Sequence, residues 1–397
     1  MSLFRFVWKN IKGNLVRSAL AFLCVFGVST FFMATMIISQ GSQYSMQKGL
    51  QSLGADIIVV PYGAQTDIET ALLMGKPSHI WMPQNNLQII SAIKGVAAVS
   101  PQIYLQSLFQ AACCSVSETF LVVYDPATDF TVTPWLQQNL GRELATGEVV
   151  GGAYIFSPDN DGTIKLYGTT LKLVGNLNPT GTGMDQTVFF NIDTANEIAK
   201  ASETAAASPL VIPQGKVSSI LIKLGPGIDA RTVISPIYLN IPDVVPVPSP
   251  DLFGTFRTQM TGLLGSLMVV IVLAWILSAV LIALVFSMSV HERQRQMSVL
   301  RSLGATRDYV LKLLLTEGWL LAACAAVTGS MCGVALIALF KTYFSGTIKM
   351  PFLFPSFSSL VVLLLINAAV SLLVVSVAIF FQATAISNLE PAQGMRE

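Results

Sequence analysis

Few residues in this chain have the types and spacing that chemistry needs. Cys113 and Cys114 are adjacent in the small-residue string AACCSVS. Four readings of the pair stay open: two buried thiols, a strained vicinal disulfide, redox or intermolecular partners, or ligands to a soft metal or haem. Ordinary disulfides need a Cα separation of about 4.4–6.8 Å, longer than adjacent residues allow. Thiolate, thioether and imidazole groups suit soft ions, so His79 and Met82, in the string SHIWMP, are the candidate helpers. An adjacent pair does not match the C-x-x-C pattern of structural zinc.

Other reactive constellations are missing. A phosphate-cradling P-loop needs G-x-x-x-x-G-K-[ST]. Gly75-Lys76 is followed by Pro77 and Gly215-Lys216 by Val217, so neither fits. The chain has two histidines, His79 and His291, and no H-E-x-x-H. No catalytic residue is predicted, and no cofactor-binding one.

The elements that must position these residues follow from composition. Of 397 residues, 53% are hydrophobic and 11% charged, against about 25% charged in soluble domains. The apolar excess sits in four runs, at 18–39, 263–290, 311–340 and 360–381. Each exceeds the roughly 18–20 residues that span a bilayer as a helix. The first run is too long for a signal-peptide core and has no A-x-A site after it, so it reads as a retained anchor.

Lys and Arg in short flanking loops mark the cytoplasmic side. Arg5, Lys9, Lys12 and Arg17 precede the first run; Arg293, Arg295, Arg301, Arg307 and Lys312 lie between the second and third. The pattern predicts a multi-pass protein of the cytoplasmic (inner) membrane with both termini inside. The segments are an amphipathic cytoplasmic N-terminus (1–17), a first transmembrane helix (18–40), an extracytoplasmic domain with a stalk (41–258) and a second helix (259–290). A cytoplasmic coupling loop (291–307), a third helix (308–340), a short outside loop (341–358), a fourth helix (359–382) and a cytoplasmic tail (383–397) follow. His79 and His291 then fall on opposite sides and cannot share a site. The 41–258 segment holds 17 acidic and 11 basic residues, whereas the whole chain is at +1. With no overall basic excess, nothing points to nucleic acid; membrane lipid is the expected surrounding.

Residues 41–258 read as an α+β domain. Strands are predicted at 56–60, 120–124, 170–174, 187–191 and 219–224 from β-branched and aromatic runs bounded by turn residues. Helices are predicted at 87–93 and 194–207, the latter capped by Asp193, with a short one inside 134–147. The Pro-dense string SPIYLNIPDVVPVPSPD at 235–251 predicts extended chain. Ser42–Leu53 and 251–262 are polar enough to prolong the first two spans outward.

Two features lie inside the third run. Glu317 is an intramembrane acid, a functional candidate by default, but it lies five residues past Lys312, roughly 7–8 Å along a helix. A structural bond to a neighbouring helix is the expected role. Gly329 and Gly333 form G-x-x-x-G, a surface for close helix approach, within one subunit or between two.

The loop from His291 carries the most informative string, ERQRQMSVLRSLGATRDYVLKLLLTEGWLL. Met297, Leu300 and Leu303 recur at helical spacing, and Gly304-Ala305 permits a turn. A short amphipathic helix joined to two spans suits docking into a groove of a soluble partner; the same residues equally read as a polybasic loop that sets topology and touches anionic lipid. The string resembles the signature of FtsX/MacB-type ABC transporter permeases, E-R-x-x-E-[IF]-x-[IVL]-L-[RK]-x-[LIM]-G-A-x-x-x-x-[IV]. Glu292, Arg293, Leu300, Arg301, Gly304 and Ala305 match it; Gln296 stands where the second acid is usual. The tail ISNLEPAQGMRE resembles the family's closing segment through Pro391 and Arg396, with Gly394 in place of Ala. GTGMDQTVFFNIDTANEIA, at 181–199, resembles part of its outside domain.

The resemblance implies a homodimeric permease bound to a separate ABC ATPase that holds ATP and magnesium. The loop residues Glu292, Arg293, Met297, Leu300, Arg301, Leu303 and Gly304 would grip that ATPase. ATP-driven motion would pass to the 41–258 domain, for export of a substrate, haem or metal-linked among the options, or to regulate an extracytoplasmic partner protein.

Overall fold

The computed structural model describes residues 15–75, 80–106, 119–157, 161–206, 208–292, 307–346 and 351–387. It divides into a helical unit, within 1–40, 261–341 and 354–397, and a sheet unit, within 41–260 and 342–353.

The helical unit contains the apolar parts of four helices: α1 (Leu15–Leu53), and, after the sheet unit, α7 (Gly254–Glu292), α8 (Arg307–Gly346) and α9 (Phe357–Ser387). Each is long and apolar enough to cross a membrane. The bundle core gathers Val25 and Phe32 of α1, Ile271 and Trp275 of α7, Ala322 and Ala325 of α8, and Val375 and Ile379 of α9. The outer faces stay apolar, as at Leu273, Leu277, Leu339 and Leu365. Lipid-exposed helices need no polar outer face, because their backbone bonds are satisfied internally.

The sheet unit is built on nine strands. They are β1 (Ile57–Pro61), β3 (Val96–Gln106), β4 (Phe120–Tyr124), β5 (Glu148–Gly151), β6 (Thr163–Leu166), β7 (Thr169–Asn176), β8 (Thr187–Asn191), β10 (Ser219–Leu224) and β11 (Val244–Pro248). Their spatial order is β11-β1-β10-β3-β4-β8-β5-β7-β6. Pairing is antiparallel except β4 with β8 and β5 with β7. A separate two-stranded ribbon joins β2 (Met82–Pro83) to β9 (Lys216–Val217).

Helices cover both faces, which is why the central strands read as continuous apolar runs rather than alternating ones. Ile58, Val60, Phe120, Val122 and Phe189 point to one face, against α2 (Gln65–Met74). The ends of α1 and α7 reach the same face through Met46, Leu53 and Phe256. Leu121, Val123, Val188 and Phe190 point the other way, onto α5 (Ile192–Ala205). Ile57, Val59, Ile220 and Ile222 pack on α3 (Asn86–Ser91) and α6 (Ala230–Asn240). Full burial of each such side chain contributes about 1.5–3 kcal/mol.

Two local expectations are corrected. The 192–205 helix is capped by Asn191, whose side chain accepts from Thr194 N, and not by Asp193, which lies within its first turn. The Pro-dense segment is not uniformly extended: α6 runs through Pro236, because Asp229 caps its start and Val233 and Ile237 are fully buried on the sheet. The second half becomes β11, a true strand at the sheet edge. Pro246 and Pro248 alternate with Val245 and Val247 along β1. Their ring nitrogens therefore face away from the ladder, an arrangement that an edge strand tolerates.

Candidate functional site

The densest arrangement in the sheet unit is the loop TGTGMDQ, at 180–186. Its centre is Asp185, 2% exposed. One carboxylate oxygen accepts from Thr180 N and Thr180 Oγ1, both at 2.8 Å; the other accepts from Gly181 N at 2.7 Å. Burial pushes the Asp185 carboxyl above its ordinary range, and the Thr180 and Gly181 bonds pull it back only in part. Thr182 caps the 3-10 turn Gly183–Gln186 by accepting from Met184 N.

Glycines let this loop touch four other segments. A Cβ on Gly49, in the last part of α1, would lie 2.7 Å from Thr182 Cγ2. A Cβ on Gly183 would lie 2.0 Å from Gly75 N, at the left-handed end of α2. On Gly152, after β5, it would meet Met184 O at 2.1 Å. Gly181, at φ +73°, closes on the segment before α9: Phe352 N donates to Gly181 O at 2.9 Å, and Leu353 N donates to Gly41 O at 3.2 Å. The start of α7 is held by α2, since the buried Glu69 accepts from Phe256 N at 2.7 Å. A carboxylate at that position satisfies a free helix N–H and meets the positive end of the helix dipole. The chain segments leading to α1, α7 and α9 are thus fastened within one unit.

A cavity of about 210 Å³ opens beside this loop. It is lined by the end of α1, α2, strands β4 and β8, and α4 (Thr133–Asn139).

In the helical unit, Gly329 and Gly333 face α1. Added Cβ atoms would sit 2.7 Å from Phe26 O and 2.9 Å from Thr30 O. Within one chain the G-x-x-x-G surface is therefore occupied by the first helix. Gly318 similarly admits Ile379 of α9. Buried hydroxyls and an amide tie the same helices. Asn367 Nδ2 donates to Ser330 Oγ at 2.7 Å, Ser371 Oγ donates to Asn367 O at 2.7 Å, and Ser29 Oγ lies 3.3 Å from Ser371 Oγ. Trp319 Nε1 donates to Ser376 Oγ at 2.7 Å. Glu317 is buried on α8, 7% exposed.

The remaining sequence candidates fall differently. Glu292 is the last residue of α7. Arg293, Met297, Leu300, Arg301, Leu303 and Gly304 lie outside the described residues, as do His79, Cys113 and Cys114. Met82 is 2% exposed in β2, inside the apolar cluster with Ile90 and Val217. Among the described residues no group of three or more His, Cys, Asp or Glu side chains is placed to hold a metal.

Sequence reasoning missed the 180–186 junction and the Asn367 cluster. The first carried a signal, two glycines flanked by Thr and Asp. The second carried a weaker one, a lone Asn in an otherwise apolar run.

No curated protein matches the chain. Among solved structures, the periplasmic region of MacB from Actinobacillus actinomycetemcomitans is similar at 11% identity and a TM-score of 0.34, over 52% of this chain and 95% of that one. A heavy metal efflux pump is similar at 14% identity and a TM-score of 0.14, over 84% of this chain; the chain spans only 34% of the pump. Residues 268–391 match the FtsX-like permease C-terminal family model. That stretch runs from within α7 through α8 and α9 and includes the coupling-loop string. Through these residues the chain is similar to the C-terminal part of FtsX-like permeases.

Proposed function

We propose that the chain is the transmembrane subunit of a MacB/FtsX-type ABC transporter, and that it turns ATP hydrolysis by a separate ATPase into movement of its 41–258 domain. The observation that carries this reading is the placement of the loop string. It follows α7 directly, and α7 begins at the capped, buried Phe256 on the sheet. A push on the loop thus has one unbroken helix of 39 residues along which to travel. α1 offers a second such path, ending at Leu53 in the same apolar cluster.

In this reading the protein works as a homodimer in the cell membrane, with both termini and residues 291–307 cytoplasmic and the sheet unit outside. The chain itself hydrolyses nothing; ATP and magnesium belong to the partner. Glu292, Arg293, Met297, Leu300, Arg301, Leu303 and Gly304 form the grip. Glu317, Gly329 and Gly333 hold the bundle together as it moves. The end served is export or extraction of a substrate, and Cys113 and Cys114, with His79 and Met82, remain the residues for a haem or metal-linked cargo. The other end it could serve is regulation of an extracytoplasmic enzyme with no transport.

The test is reconstitution with a partner ATPase of the Walker type. The complex should hydrolyse ATP, and Leu300→Ala with Arg301→Ala should abolish that activity. Unchanged hydrolysis in the double variant would remove the docking role. Capture by the sheet unit then separates the two ends: a bound hydrolase favours regulation, a bound small molecule or metal favours export.

A further inference from the structure

The cavity beside the 180–186 loop has a chemistry of its own. Its floor is apolar, formed by Leu53, Leu72, Phe120, Val122 and Phe189, all buried. Trp135 forms one wall. At about 210 Å³ it is larger than the roughly 150 Å³ apolar cavity that accepts a benzene ring. It is too small for a drug-sized ligand, whose pockets start near ~300 Å³.

The deep polar lining is already committed. Among the described residues Asp185 is the one ionisable residue in the lining, and both its oxygens are engaged by Thr180 and Gly181. Thr187 Oγ1 donates to Gly183 O at 2.9 Å. Gln102 donates to Thr131 at 3.3 Å and accepts from Tyr104 Oη at 3.1 Å. None of these groups needs a ligand to satisfy it, so the interior offers no partner to a charge. A charged occupant would lose its hydration without compensation. Polar groups free to meet solvent lie at the rim, where Ser52, Gln138 and Asn178 are exposed.

We infer that this cavity binds a neutral small molecule with one ring-sized apolar body and a hydrogen-bonding end held at the Ser52–Gln138–Asn178 rim. Such an occupant touches the end of α1 at Leu53 and the junction loop at Met184. Its presence therefore bears on the same joint through which α1 meets the sheet, as cargo or as effector. The inference rests on the cavity alone. Its failure leaves the permease reading standing, and the reverse holds too.

Benzyl alcohol is the probe, because it has one ring and one hydroxyl. The full chain, in lipid nanodiscs, is labelled with 5-fluorotryptophan at its five tryptophans, and Trp135→Phe assigns the cavity resonance. Trp275 and Trp319, in membrane-spanning helices, report partition into lipid. The expected result is a saturable shift of the Trp135 resonance that Trp275 and Trp319 do not share. Val122→Phe, which fills the floor, should weaken it at least tenfold. Leu72→Phe serves as a second filler if the Trp81 resonance shows that Val122→Phe disturbs the fold. A wild-type Trp135 resonance that does not move, that moves without saturating, or that moves together with Trp275 and Trp319 would overturn the site. So would a saturable shift that both fillers leave intact.

Discussion

Single side chains in the sheet unit set its response to acid. Glu148 takes both guanidinium nitrogens of Arg142, at 2.6 and 3.0 Å, and the N–H of Ala145 at 3.2 Å. Lys172 stands 3.7 Å away. The Arg142 bond holds the Glu148 carboxyl below its usual range, against a smaller opposing effect of burial. A lowered folded-state value contributes stability above the unfolded value, about 4.3 for Glu, and that contribution is lost as pH falls through the folded value. Thermal unfolding of the full chain should therefore weaken between pH 5 and more acid conditions. Arg142→Met should flatten that acid limb by lowering the neutral midpoint, while the midpoint in acid, where Glu148 is protonated, hardly changes. An acid limb equally steep in the variant would remove Glu148 as its source. At this scale the sequence was only partly legible. Charged partners six residues apart give no period, so the Arg142–Glu148 pair was invisible. The cap at 191 was placed on Asp193 because Asp and Asn cap equally well, and only the backbone shows which residue is still extended.

Among the elements, legibility followed the apolar run rather than burial as such. The strands 57–61, 120–124, 187–191 and 219–224 were readable because their central positions are apolar and mostly β-branched or aromatic; the half-exposed strand at 170–174 was readable too, whereas the buried four-residue β5 was not. β3 and β11 were not, because Pro101 and Pro246 break the pattern; tolerance of Pro246 depends on the edge position, a tertiary fact. The 180–186 junction is likewise a product of folding, since its partners come from residues near 41, 49, 75, 152 and 352. Gly181 is the position where this is most testable. Its φ of +73° excludes an ordinary side chain, and a Cβ would stand 2.6 Å from Phe352 O and 2.7 Å from Ser45 Oγ. Left-handed backbone costs roughly 1–2 kcal/mol for a non-glycine residue and overpacking about 1–3 kcal/mol more. Gly181→Val should lower stability by at least ~2 kcal/mol, read as a fall of several degrees in the unfolding midpoint. Gly147→Val, at φ +83° with open space around it, should cost only the backbone part. Equal effects at the two sites would argue against a packed junction at 181.

At the scale of the whole molecule, the four spans and their order were legible from hydropathy and the inserted α+β domain from its β-branched runs, turn residues and caps, and the loop string pointed to the family model that residues 268–391 match. The proposed lever has an ATPase grip at 292–305, two unbroken helices, and a sheet unit that holds the end of α1 at the 180–186 loop and the start of α7 through Glu69. The direct test is a spin-label distance between Leu239→Cys, on the exposed side of α6, and Met331→Cys, on the exposed side of α8. It is measured in the reconstituted complex on a cysteine-free background. The account predicts that the distance distribution shifts when the partner ATPase binds ATP. The shift should vanish in the Leu300→Ala, Arg301→Ala variant. A distribution identical with and without ATP, in a complex that still hydrolyses it, would contradict the account.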